Sequence, residues 1–167
     1  MVHTMIGRSG AATADEAEGA LEVPAPAGST AVGTLGSPHL ALVDGVGGVA
    51  PAHAGWVLEW WVGADDRWHV PSDERAVRQH LVGGAPVVET AMRIPSGDAV
   101  HRVWAVPGPG GPTVVVEVEN TSPVPVALAL AVAPSGGQDA GPQQVALAGS
   151  EVLVDGEPVV VLPKEPN

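Results

Sequence analysis

The chain has no cysteine, no phenylalanine, no tyrosine and a single lysine among its 167 residues. Without cysteine, disulfides and thiolate metal sites are both excluded, and the redox compartment is left open. Without Phe or Tyr, every aromatic ring belongs to one of five tryptophans, so a core has to be built from Val, Leu, Ala and a few indoles. No stretch reaches the ~18 consecutive apolar residues of a membrane-spanning helix, and the first residues show no cationic segment followed by an apolar run. A cytoplasmic location is the expectation. Cations are scarce: 7 Lys and Arg stand against 19 Asp and Glu, for a net charge of -12. Phosphate backbones demand clustered cations, which argues against nucleic acid as a partner.

What is present favours strands over helices. The 22 Gly and 17 Pro are spread along the chain between Val-rich runs. Proline breaks helix interiors, whereas β-branched valine fits a pleated surface. A chain of this length forms one domain that buries roughly 70% of its unfolded surface, so a core needs no staples. Strand-like runs fall at 30–35, 39–43, 56–62, 77–82, 86–94, 99–106, 113–119, 124–133, 144–148, 151–154 and 158–162. Short strands at this spacing, separated by turn residues, predict an all-β antiparallel sandwich over residues 21–162. Residues 1–20 read as a disordered leader and 163–167 as a linker. Asn120-Thr121-Ser122-Pro123 reads as the turn of one hairpin and Asp155-Gly156 as that of another. Pro71-Ser72-Asp73-Glu74 could also cap a short helix through His80.

Five of the seven cations and all five Trp lie between Trp56 and Trp104, which makes the centre the place to seek a site. Within Trp56-Val57-Leu58-Glu59-Trp60-Trp61-Val62, alternation puts Trp56, Leu58, Trp60 and Val62 on a core side, and Val57, Glu59 and Trp61 on the other. An indole face beside a carboxylate suits a sugar ring; equally, the outer side could be covered by a neighbouring domain. The following turn, Gly63-Ala64-Asp65-Asp66-Arg67-Trp68-His69, offers two acids, an Arg and a His that could bind a sugar or a cation, against the plainer reading of a solvated turn with an Asp–Arg pair. It lacks the regularly spaced oxygens of a calcium loop. Gly45-Val46-Gly47-Gly48-Val49-Ala50 matches the spacing of a dinucleotide-binding loop, but Pro51 and Gly55 leave no room for the helix that would receive the pyrophosphate. It reads as a hairpin loop. The six His have no metal-ligand spacing, no serine lies in a nucleophile motif, and no motif asks for a cofactor. A catalytic site would require Glu59, Glu89 or Asp98 to converge.

The Gly55–His69 block, with its Trp-Val-Leu-Glu-Trp-Trp core, resembles a segment of actinobacterial proteins related to the six-hairpin glycosidases. The run from Val115 to Val132, with Glu117-Val118-Glu119-Asn120-Thr121 before a Val/Ala/Leu strand, is similar to their N-terminal β-sandwich. In these glucoamylase-like and trehalase-like proteins the sandwich precedes an (α/α)6 barrel that carries the catalytic carboxylates. The resemblance implies a non-catalytic accessory domain whose partner is such a barrel or a glycan, met through Trp61, Glu59, Asp65, Asp66 and Arg67. The other class open to this sequence is a structural or protein-interaction sandwich with no sugar contact.

Overall fold

The computed structural model describes residues 2–6 (backbone only), 28–52, 54–108, 111–135 and 141–166. Along the chain these form β1 (Val2–Ile6), β2 (Thr30–Gly33), β3 (Leu40–Val43), β4 (Val49–Pro51), β5 (Trp56–Gly63), β6 (Trp68–His69) and β7 (Val77–Leu81). There follow β8 (Val88–Ile94), β9 (Gly97–Val106), β10 (Thr113–Asn120), β11 (Ala127–Pro134), β12 (Val145–Ala148), β13 (Glu151–Val154) and β14 (Glu157–Val161). The strands make two antiparallel sheets. The larger runs β12-β13-β14-β1-β10-β9-β8-β7; the smaller runs β11-β5-β4-β3-β2, with β6 also paired to β5.

The sheets face each other across one apolar layer, as alternation demands. From the smaller sheet come Val32, Val43, Val49, Trp56 and Leu58; from the larger come Val88, Val103, Val114, Val116, Val154 and Val160. A second cluster joins Trp60 and Val62 of β5 to Met92, Ile94, Ala99 and Val118. The sandwich expected from the strand spacing is therefore the observed fold, and the predicted core side of β5 is the buried one.

Three elements differ from the sequence reading. Residues 2–6, placed there in a disordered leader, form β1, which pairs with β10 from Val2↔Val118 to Ile6↔Val114 and reaches β14 at Met5↔Val161. Val2, Thr4 and Ile6 are β-formers, but five residues are too few for alternation to stand out. Residues 7–27 lie outside the described residues. The hairpin predicted about Asn120–Pro123 is a crossing between sheets, since β10 belongs to the larger sheet and β11 pairs with β5 along its whole length. The turn is real: Asn120 Nδ2 donates to the Val124 carbonyl at 2.7 Å, and Ser122 N donates to Asn120 Oδ1 at 2.9 Å. Pro123 and Pro125 have no N–H to continue a ladder, so the chain leaves β10 and brings Val126, Leu128 and Leu130 onto the same core from the other side. After Pro71 there is one 3₁₀ turn, Pro71–Asp73, and then the strand β7, so the short helix does not form. The Asp155–Gly156 hairpin between β13 and β14 is as expected, with both residues at positive φ (52° and 89°), as a type I′ turn requires.

The Gly-rich run is the β3–β4 hairpin loop, and it closes the flank of the sandwich. Asp44 Oδ1 accepts from Val46 N at 2.9 Å and Gly48 N at 2.8 Å, which shapes the loop. Both sheets then grip it. Trp60 Nε1 of β5 donates to the Val46 carbonyl at 3.1 Å, and Gln79 Nε2 of β7 donates to the Asp44 carbonyl at 2.6 Å and to Thr90 Oγ1 at 2.9 Å. Beneath it the Trp60 indole stacks on the His101 imidazole, with centroids 4.9 Å apart and planes 12° from parallel. Trp60, Thr90 and His101 are fully buried.

Burial pushes the His101 pKa from 6.5 down to about 3. The unfolded chain takes up this proton near pH 6.5 and the folded chain does not, so stability falls as pH drops from 6.5 towards 3. The loss expected by pH 4.5 is on the order of 2–3 kcal/mol. Denaturant titrations of the wild type and His101→Phe between pH 7.5 and 4.5 check this: the wild type should lose stability more steeply than the variant, which keeps the stacked ring without the titrating nitrogen.

Candidate functional site

Strand β5 has two unlike edges. On one, β11 pairs with every residue from Trp56 to Gly63. The other is shared by β4, which pairs at Leu58, and β6, which pairs at Val62 and Gly63. Between those contacts the sheet is interrupted beside residues 59–61, and the gap is flanked by the 44–48 loop on one side and the 70–72 turn on the other. A shallow depression, open to solvent, lies there, lined by Asp44, Glu59, Trp61, Pro71 and Ser72 among others.

The outer side of β5 carries Glu59 and Trp61, both half-buried. Trp61 Nε1 donates to Glu59 Oε2 at 3.3 Å, which fixes the indole edge towards the carboxylate. Gly63, next on that side, has no side chain, and the ring of its cross-strand neighbour Trp68 lies over it. A Cβ on Gly63 would sit 3.2–3.3 Å from three carbons of that ring. Trp68 is held flat against the sheet while remaining 51% exposed. The outer face of β5–β6 thus presents two indoles and a carboxylate beside an open depression.

The β5–β6 turn is held by an ionic network around a buried histidine. His69, 4% exposed, has one ring nitrogen 2.9 Å from Asp66 Oδ1 and the other 2.9 Å from Glu74 Oε1. Arg67 Nη1 lies 2.6 Å from the same Glu74 oxygen, and Arg67 Nε is 3.9 Å from Asp66 Oδ2. The Arg67 guanidinium, helped by His69, holds the Glu74 carboxyl below its ordinary range, and the His69 hydrogen bond does so for Asp66. Glu74 in turn raises Arg67. Each of these side chains is bonded to a neighbour, so the network braces the turn.

The five residues singled out from the sequence therefore divide into three groups. Glu59 and Trp61 come together at the depression. Asp66 and Arg67 come together in the turn network. Asp65 is exposed at the tip of the turn, outside that network. Sequence reasoning did not single out Trp68 or Glu74, and it read His69 only as one of the polar groups of the turn. The signal for Trp68 was the side-chain-less Gly63 two residues beyond Trp61, a surface on which a cross-strand ring can lie. Glu74 carries no such signal, because a 3₁₀ turn brings it back to His69.

The three carboxylates that a catalytic reading needed do not converge. Glu59 lies on the outer face of the smaller sheet and Glu89 on the outer face of the larger one. Asp98 pairs with Arg78 at 2.7 Å and Arg93 at 3.4 Å in the β8–β9 hairpin. Arg102 is the hub of the larger sheet's outer face, bound to Glu89 at 2.7 Å and to Glu117 and Glu119 at 2.8 Å each. These carboxylates, led by Glu119, raise the Arg102 pKa further. Among the described residues no group of three or more His, Asp or Glu is arranged to hold a metal ion, and no helix is long and apolar enough to cross a membrane. Comparison with protein families, with curated proteins and with solved structures found no match for this chain.

Replacing Glu74 with Gln removes the anion that faces both His69 and Arg67. The expected cost is about 1–2 kcal/mol, with faster amide exchange through residues 64–70. Denaturation combined with hydrogen exchange checks both; unchanged exchange in the turn would show that Glu74 does not brace it.

Proposed function

We propose that this chain is a non-catalytic β-sandwich module of a carbohydrate-active protein, and that it contacts glycan through the outer face of β5 and β6. The observation that carries the reading is the exposed Trp68 ring laid flat over Gly63, on the same face as Trp61 and Glu59. An apolar ring face accepts the C–H side of a pyranose, while a carboxylate and the Ser72 hydroxyl at the rim suit its hydroxyls. A large indole held half in solvent against a rigid strand loses little freedom on binding, which favours affinity.

The resemblance of the Trp-rich block to the sandwich of six-hairpin glycosidase-like proteins points the same way, with an (α/α)6 barrel as the domain that performs the chemistry. The opposite placement of Glu59 and Glu89 agrees with a supporting role. On this reading the smaller sheet's outer face meets glycan, and Asp66 and Arg67 hold the turn that aims Trp68.

Affinity electrophoresis through gels containing α- and β-linked glucans and other soluble polysaccharides tests the proposal. The wild type should be retarded by at least one class, and Trp61→Ala and Trp68→Ala should each weaken binding about tenfold or more, a loss of about 1.4 kcal/mol. No retardation in any polysaccharide, or retardation that survives both substitutions, would overturn the glycan reading. It would favour a protein-interaction sandwich.

A further inference from the structure

The larger sheet outruns the smaller one, and its last strand shows what is left uncovered. All four residues of β12 are exposed, including Val145 at 49% and Leu147 at 54%. Their cross-strand neighbours on β13 are Val154 and Val152, and directly opposed residues share a face of the sheet. Val154 is buried in the core, with Val152 packed against it. Val145 and Leu147 are therefore the outward continuation of the core face, beyond the reach of the smaller sheet.

Among the described residues no strand pairs with the outer edge of β12, and that edge has a definite polarity. Asp155 N donates to the Gln144 carbonyl at 2.9 Å, so Gln144 turns its backbone towards the neighbouring hairpin strand. With a period of two, Ala146 and Ala148 do the same, and Val145 and Leu147 direct their N–H and C=O groups to the open side. Edge strands are commonly shielded by charge, proline or a bulge. None of these occurs on β12, and residues 143–149 contain no ionisable side chain in a chain of net charge -12.

We propose that β12 is a self-association edge, pairing antiparallel with β12 of a second copy about a two-fold axis. Only residues that turn their amides to the open side can exchange ladder bonds, which limits the register. Centring Ala146 on the axis sets Val145 opposite the partner's Leu147 and Leu147 opposite the partner's Val145. Two Val–Leu pairs then form on the core-side face, with the small Ala146 residues meeting on the other. An isologous contact has to be self-complementary, and this register is. The acidic residues of the wing, Glu151, Asp155, Glu157 and Glu165, all lie off the joining strand, so the segments that pair are themselves neutral. The area involved is small, so association is expected in the transient range, with a Kd on the order of 100 µM.

Sedimentation of the full chain from about 10 µM to about 1 mM is the test, paired with hydrogen exchange at both ends of that range. The wild type should approach twice its 16.7 kDa mass at high concentration, with the Val145 and Leu147 amides becoming protected. Leu147→Lys should remain a monomer, whereas Leu35→Lys, which removes the exposed Leu35 elsewhere, should still dimerise. Circular dichroism of each variant verifies the fold. A wild type that is monomeric throughout overturns the proposal, as does a dimer that Leu147→Lys leaves intact and in which those two amides still exchange freely.

Discussion

The grip of two sheets on the 44–48 loop is the constraint on which the rest of the structure depends. Trp60 from one sheet and Gln79 from the other each donate to a loop carbonyl, so the loop is bonded to both halves of the sandwich. This satisfies the indole N–H of the largest buried side chain, and burying such a ring contributes about 4–6 kcal/mol of transfer free energy. It also sets the surface. With Trp60 turned inward by this bond, period two turns Glu59 and Trp61 outward, and the loop itself supplies Asp44, Val46 and Gly48 to one wall of the depression. The Gly-rich sequence that imitates a dinucleotide loop is needed here because Gly47, at φ 88°, approaches Trp60, Thr90 and His101 too closely for a side chain.

The two outer faces are built on different principles. On the larger sheet, Glu89, Glu117 and Glu119 from two strands converge on Arg102, and the polar groups are absorbed by one another. On the smaller sheet, the break between β4 and β6 leaves room for ring faces and a carboxylate at an open depression. Four of the seven cations brace the sandwich: Arg102 across three strands, Arg67 in the β5–β6 turn, and Arg78 and Arg93 on Asp98. The aromatic face is the surface on which the proposed glycan contact rests.

The strands and their faces were legible in the sequence because two signals coincide. Runs such as Val114 to Glu119 alternate cleanly, and Gly, Pro, Asn and Asp punctuate them, so most strand limits agree within two or three residues. The core side of β5 follows from the same periodicity, and the Asp155–Gly156 turn from its own residues. What was hidden depends on contacts across the fold. The strands β4 and β6 are too short to show a period, and the Asn120–Pro123 turn has the same local chemistry whether it joins strands within a sheet or between sheets. Trp68 acquires its place only because a distant pairing sets it opposite Gly63, and His69 meets Glu74 only through the turn that separates them. Of the site, Glu59 and Trp61 could be read from alternation; the depression beside them could not, since it exists where two short strands fail to meet.

The most direct test of this account is the stability of Gly47→Ala. A Cβ at this position would lie 2.8 Å from Trp60 Nε1, on a backbone in the left-handed region. If the loop clamps the two sheets through Trp60 and Gln79, denaturant unfolding of the variant should show a loss of at least about 2 kcal/mol, with a red-shifted Trp60 emission in the native state. A variant within about 0.5 kcal/mol of the wild type, with native fluorescence, would contradict the account, because it would mean that the loop rests on the sandwich without holding it together.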